Sequence, residues 1–247
     1  MNISRANVSL FIPCLVDQVY PEIGMAMAKV LRYFGYNLQY HQQQTCCGQP
    51  AFNAGHRKKA RVVAENFIEV FYNDSLIVAP SGSCVAMVRN YYPTLFQGHA
   101  REEQAVQLSK KVFEFSEFLD REGLIEKITG SFPGRVGFHN SCHSYRELGV
   151  KDEPFKILDR IKGFQLLQPK GESVCCGFGG LFSFKFDEIA ATMANTRLGM
   201  FTSIGVNTIV SNDPGCIMHL RQEAQDKNID VEIIHLTEFL VIAMDLK

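Results

Sequence analysis

The 247-residue sequence has no apolar run long enough to span a bilayer, no marked excess of either charge, and no cysteine pairs of the C-x2-C to C-x4-C kind. Each absence excludes a class. The most apolar late stretch, Val231 to Met244, is interrupted by Glu232, His235 and Glu238, whereas a membrane helix needs about 20 consecutive apolar residues. Met1 to Ala6 carries one arginine and enters an apolar run that ends at Pro13, too short for a signal peptide. A cytoplasmic protein is expected. A net charge of −1 with 21% charged residues leaves neither a nucleic-acid footprint nor an acidic tail. The run Gly177-Phe178-Gly179-Gly180 lacks the full G-x-G-x-x-G pattern, and no flavin or nicotinamide fingerprint is visible, so nucleotide binding is not expected. The C-x2-C to C-x4-C pairs typical of zinc sites are missing, as are the ferredoxin spacings.

What the chain does contain is eight cysteines in two sets of four. Cys14, Cys46, Cys47 and Cys84 are separated by 31, 0 and 36 residues; Cys142, Cys175, Cys176 and Cys216 by 32, 0 and 39. The offsets between the sets, 128, 129, 129 and 132, drift so little that they mark an internal duplication. Flanking residues agree: Leu76 to Cys84 resembles Thr208 to Cys216, and Ser116-Glu117-Phe118-Leu119 resembles Thr237-Glu238-Phe239-Leu240. The expected organisation is a first repeat over 1–122, a linker over 123–134 and a second repeat over 135–247, each repeat near the usual size of a small domain. In a reducing compartment disulfides are rare, so the cysteines read as metal ligands.

Strand and helix patterns alternate along both repeats. In the first, Val8 to Pro13 reads as a buried strand, Pro21 to Phe34 as a helix, Asn37 to Tyr40 as a strand, Ala51 to Tyr72 as a long helix and Leu76 to Ala79 as a strand, with a single helix from Arg101 to Asp120. The basic run from His56 to Arg61 reads as a solvated face. The second repeat follows the same order. This alternation predicts an α/β fold of tandem cysteine-rich domains with mainly parallel sheets, related by a pseudo-two-fold, and functional groups at the carboxyl ends of the strands. Cys84 falls near a helix start, where free N–H groups favour thiolate.

Four thiolates can close a tetrahedral zinc site or hold an iron–sulfur cluster. Neighbouring side chains in an extended dipeptide point apart. Bringing both sulfurs of Cys46-Cys47 or Cys175-Cys176 to one zinc therefore needs a contorted turn, whereas a cluster offers separated irons. Iron–sulfur is favoured, with zinc as the alternative. His139 and His143 flank Cys142 and read as hydrogen-bonded histidines rather than ligands. In Leu181 to Phe186 alternation predicts one buried face.

The paired Cys-Cys-Gly turns, each with an upstream cysteine and a later one, resemble the cysteine-rich CCG domain family, which includes the CCG-containing component of heterodisulfide reductase and the iron–sulfur component of glycolate oxidase. Phe11 to Asp17, Cys46 to Asn53, Pro80 to Cys84 and Cys175 to Gly180 are most similar to its lactate-utilisation branch. The resemblance covers nearly the whole chain. It implies one iron–sulfur cluster per repeat, expected to be [4Fe–4S], held by Cys14, Cys46, Cys47 and Cys84 and by Cys142, Cys175, Cys176 and Cys216. It also implies partners: a ferredoxin-type iron–sulfur protein and a smaller companion, the three together oxidising L-lactate to pyruvate, with this chain an electron-transfer subunit that is not catalytic alone. No catalytic residue is assigned. The fuller family pattern ends in Cys-x-x-Cys, and its first cysteine is here Ser81 in one copy and Asp213 in the other. Both read as turn or cap residues before they read as oxygen ligands. Their substitution counts against the alternative of a heterodisulfide-type redox enzyme; a zinc-stabilised scaffold is the third reading.

Overall fold

The computed structural model describes residues 7–170 and 174–247; the Met1 to Ala6 leader reading lies outside them. Each half is built on a four-stranded parallel sheet. The first contains β1 (Asn7–Leu10), β2 (Asn37–Tyr40), β3 (Ile77–Ala79) and β4 (Val112–Glu114) in the order β2-β1-β3-β4. The second contains β5 (Gly130–His139), β6 (Ile161–Leu166), β7 (Thr208–Ser211) and β8 (Glu232–His235) in the order β6-β5-β7-β8. The topology is therefore repeated. Central strands β3 and β7 are buried throughout, β3 being apolar along its whole length and β7 carrying Ile209 and Val210 between Thr208 and Ser211, whereas β2 and β6 are edge strands with exposed residues.

The two halves share a core. Val8, Met27, Leu31 and Phe118 from the first half belong to the same buried cluster as Phe138, Val210, Phe239 and Leu240 from the second. Helix Pro21–Tyr33 of the first half packs on helix Leu236–Ala243 of the second, and helix Phe115–Arg121 packs reciprocally on helix Glu153–Leu158. That exchange is the pseudo-two-fold. The buried Thr237 hydroxyl donates to the Ile23 carbonyl at 3.1 Å across the same junction.

The structure departs from the sequence expectation in four places. Leu181 to Phe186, whose alternation predicts one buried face, instead forms helix Leu181–Lys185 with no buried residue and with Phe184 exposed. The expected helix from Arg101 to Asp120 is two helices, Glu102–Ser109 and Phe115–Arg121, separated by β4. A three-residue strand is too short to show a period of two, and Val112 is drawn into the sheet by pairing with Ile77. The expected helix from Ala51 to Tyr72 is broken at Gly55, whose φ of +81° ends helix Gln49–Asn53 before helix Arg57–Phe71 begins. Within 123–134, Leu124, Ile125, Ile128 and Phe132 are buried in the shared core, and β5 already starts at Gly130. Pro133 is accommodated there because the register of β5 against β6 shifts between Ser131 and Gly134, a bulge that removes the need for its missing N–H.

Equivalent helices are capped alike by different residues. Glu114 accepts from Ser116 N and Glu117 N at the start of helix Phe115–Arg121, and His235 accepts from Thr237 N at the start of helix Leu236–Ala243, both within capping boxes. Burial raises the Glu114 pKa to about 8, so the folded protein retains a proton that the unfolded chain releases near pH 4.3. Its contribution is present below that pH and is lost as pH rises toward 8. Glu114→Gln should abolish this term: urea titrations from pH 5 to 8 are expected to show the wild type losing stability relative to the variant, by roughly 2–4 kcal/mol. A pH-independent difference between the two proteins contradicts the assignment.

Candidate metal centres

The cysteines of both halves come from equivalent places. Cys14 opens helix Cys14–Gln18 after β1, Cys84 lies in helix Gly82–Ala86 after β3, and Cys46-Cys47 form the turn before helix Gln49–Asn53. Because β1 connects to β2 on one side and β3 to β4 on the other, the crevice between β1 and β3 is the topological switch point, where such sheets bind their ligands. In the second half Cys142 follows β5, Cys216 lies in helix Pro214–Asp226 after β7, and Cys175-Cys176 occupy the corresponding turn. All eight are free thiols.

Each set divides into an inner and an outer pair. Buried Cys47 hydrogen-bonds Cys84, and buried Cys176 lies 3.1 Å from Cys216. Half-buried Cys14 lies 3.7 Å from Cys46, and half-buried Cys142 hydrogen-bonds Cys175. The first member of each vicinal pair is the thiolate. Cys46 sulfur accepts from Cys14, Cys47 and, at 3.3 Å, the Gly48 N–H, which depresses its pKa to about 3. Cys175 accepts from Cys142, Cys176 and the Gly177 N–H at 3.4 Å, and falls to about 2. The donors Cys14, Cys47, Cys142 and Cys176 are pushed up by the same contacts and by burial.

Glycine is required after each pair. Gly48 and Gly177 have φ of +84° and +90°, and a Cβ on Gly177 would sit 2.6 Å from the Ala190 carbonyl oxygen. Tyr92, fully buried, donates its hydroxyl to the Cys47 carbonyl at 2.9 Å and fixes the first turn from behind. A cavity of about 370 Å³ opens onto all four cysteines of the first set and is closed from the second half by Phe178, Leu181, Phe184 and Met218. Four converging thiols without a disulfide, one of them already a thiolate, fit a thiolate-ligated metal or cluster.

Ser81 and Asp213 are caps, and they meet. Ser81 Oγ accepts from Cys84 N at 3.4 Å, and Asp213 accepts from Gly215 N at 3.0 Å. Asp213 also accepts from Ser83 N at 2.8 Å and from the Ser81 hydroxyl at 3.3 Å. This buried carboxylate therefore joins the two sites. His143 lies 3.6 Å from Cys142 sulfur and 3.6 Å from Glu147. His139 lies deeper: one of its ring nitrogens and the sulfurs of Cys176 and Cys216 are mutually within 4.8 Å. Arg197, which sequence reasoning passed over, donates to His139 Nδ1 at 3.1 Å. Its only sequence signal is a basic residue amid Ala190, Ala194, Leu198 and Phe201 on the buried face of helix Asp187–Thr202.

Fold and site together define a tandem α/β protein with a cysteine-rich candidate metal centre in each half. The chain belongs to the CCG cysteine-rich domain family, whose model matches residues 8–89 and 136–221. It is 36% identical over 234 residues to lactate utilization protein A of Halalkalibacterium halodurans, covering 95% of this chain and 96% of the relative. It is 35% identical over 235 residues to lactate utilization protein A 2 of Bacillus cereus strain Q1, covering 95% and 97%. Among solved structures, glutamate racemase isoform RacE1 of Bacillus anthracis matches with a TM-score of 0.39 and 13% identity over 98% of this chain and 80% of that one, too distant to inform the site.

Asp213→Ala strips the acceptor from two N–H groups and one hydroxyl in a buried junction. The expected cost is about 2–3 kcal/mol, a lost cap plus unpaired donors, read as a fall in the urea midpoint. A change below about 0.5 kcal/mol, the ordinary surface value, contradicts the proposed bridging role.

Proposed function

We propose that this chain is an iron–sulfur electron-transfer subunit of a multiprotein assembly that oxidises L-lactate to pyruvate, with one cluster in each half. The observation that carries the reading is the convergence of two equivalent four-thiol sets in a chain whose relatives, over 95% of its length, are named for lactate utilisation. Cys14, Cys46, Cys47 and Cys84 hold one group, and Cys142, Cys175, Cys176 and Cys216 the other. When bound, the groups supply one-electron transfer. The chain's own contribution is placement: the Gly48 and Gly177 N–H groups aim at the thiolates of Cys46 and Cys175, and the first set stands at the mouth of a largely apolar cavity. Lactate gives up two electrons, so the entry step belongs to a partner, for which a ferredoxin-type iron–sulfur protein and a smaller companion are the candidates.

A specific observation supports zinc as a second reading. The Cys14–Cys46 separation of 3.7 Å is close to the ~3.8 Å edge of a tetrahedron with metal–sulfur bonds of about 2.3 Å. Metal analysis separates the two. Anaerobically purified protein is expected to be coloured and to contain iron and acid-labile sulfide; a colourless protein with stoichiometric zinc sinks the iron–sulfur reading. Cys47→Ser should lower iron by about half, because the two sets share no cysteine, and unchanged or wholly lost iron contradicts two independent sites.

The isolated chain should not oxidise L-lactate, while its mixture with both partners should reduce an artificial acceptor. Cys176→Ser is expected to bind the partners without restoring that reduction. Turnover by the purified chain alone, or normal turnover with the variant, rules out the electron-transfer role.

A further inference from the structure

The two centres differ in the residues behind them. The offset of 128 that carries Cys14 onto Cys142 carries Phe11 onto His139. In the following helix, Gly48 abuts Ala60 and Val63 where Gly177 abuts Ala190 and Met193, an offset of 130 that carries Phe67 onto Arg197 and Phe71 onto Phe201. The first set is thus backed by three buried rings: Phe11 lies 4.7 Å from Phe67 and 5.8 Å from Phe71 between centroids. In the second half, fully buried His139 and Arg197, only 5% exposed, replace two of those rings, and the guanidinium lies 4.3 Å over the third, Phe201.

Hydrogen bonding decides what His139 can do. Arg197 can only donate, so its 3.1 Å bond to Nδ1 occupies that lone pair and leaves the proton of neutral imidazole on Nε2. Neither ring nitrogen then has a free lone pair for a metal. Nε2 is buried without a partner among the described residues. Arg197 has no carboxylate within ion-pair distance among the described residues, and the groups whose negative charge it faces are Cys176 and Cys216. Asp213 accepts from the Ser83 N–H beside the first set, while its negative charge is felt at Cys142 and Cys216 of the second, and at Cys216 Arg197 acts against it.

We propose that Arg197 and His139 form a built-in electrostatic bias that makes the second cysteine set hold an electron more tightly than the first, with His139 a positioning and N–H-donating residue rather than a metal ligand. Reduction adds one negative charge to the group at a site. A buried cation one imidazole away from Cys176 and Cys216 favours that added charge, as does a hydrogen-bond donor near sulfur, whereas Phe11 and Phe67 offer neither. An electron shared between the centres therefore rests in the second half.

This inference rests on the reading that the sets hold iron. The test is a redox titration of the anaerobic full-length protein, followed by visible absorption and electron paramagnetic resonance. Cys47→Ser reports the second set and Cys176→Ser the first. The second set is expected to have the higher potential, by at least tenfold in the one-electron equilibrium constant, about 59 mV. In the Cys47→Ser background, Arg197→Leu should lower that potential by a similar factor, while Arg197→Lys, which keeps the charge, should retain most of it. In the Cys176→Ser background, Arg197→Leu should leave the first set unmoved. Equal or reversed potentials overturn the inference without reference to the Arg197 variants. So does an unchanged second-set potential in Arg197→Leu protein that keeps its iron. A nitrogen coupling of directly bonded strength in ¹⁵N-histidine-labelled protein, lost in His139→Phe, overturns the donor role. A protein that takes up no iron overturns the underlying reading and this inference with it; an iron-loaded protein with matched potentials overturns this inference alone.

Discussion

The buried carboxylate of Asp213 sets the relation between the two halves. It caps its own helix through Gly215 N–H and, on the other side of the axis, accepts from Ser83 N–H and the Ser81 hydroxyl. A carboxylate that is only 3% exposed is stable there because three donors replace the water it has lost. Those donors belong to the turns that carry Cys84 and Cys216, so the junction between the halves and the geometry of the centres are one structure. Ser81 and Asp213 thereby give the two turns a direct hydrogen bond across the axis.

Duplication has preserved hydrogen-bonding roles while allowing charge to diverge. Glu114 and His235 both cap the helix after the last strand of their half, and each is answered by a glutamate three residues on, Glu117 and Glu238. Burial drives both toward neutrality from opposite sides: Glu114 keeps its proton, while His235, with its pKa lowered to about 3, has none to lose at neutral pH. The neutral form is what a buried cap without a counterion requires. Behind the cysteines the same freedom produced three rings in one half and a histidine–arginine pair on one ring in the other.

The centre was more legible in the sequence than the architecture around it. The spacing of Cys14, Cys46, Cys47 and Cys84 repeated at a nearly constant offset shows a duplicated cysteine arrangement directly, because equivalent residues of a repeated fold recur at one offset. Alternating strands and helices gave the parallel α/β class, since an amphipathic helix and a short apolar strand each leave a local period. β4 left none: three residues, Val112 to Glu114, acquire strand geometry from β3 beside them rather than from their own pattern. The shared core was hidden for a related reason. Helix Pro21–Tyr33 reads simply as amphipathic, and nothing in its pattern says that the surface it covers lies in the other half. Arg197 and His139 are adjacent only in the fold, 58 residues apart in the chain.

The vicinal pair has a structural consequence that a single cysteine could not provide. In each turn the two adjacent sulfurs stay within hydrogen-bond reach of each other, yet one also partners inward, Cys47 with Cys84 and Cys176 with Cys216, and the other outward, Cys46 with Cys14 and Cys175 with Cys142. The inner pairs are buried and the outer pairs half-exposed. A group that uses all four thiols must therefore reach from the core of its half to the mouth of the site. The turn that brings both adjacent sulfurs to one site depends on the positive φ of Gly48 or Gly177. Any such group is held by an inner and an outer pair at once. It would also place one end against the protein interior, where side chains such as Arg197 set its charge preference, and the other at the surface, where a partner can approach.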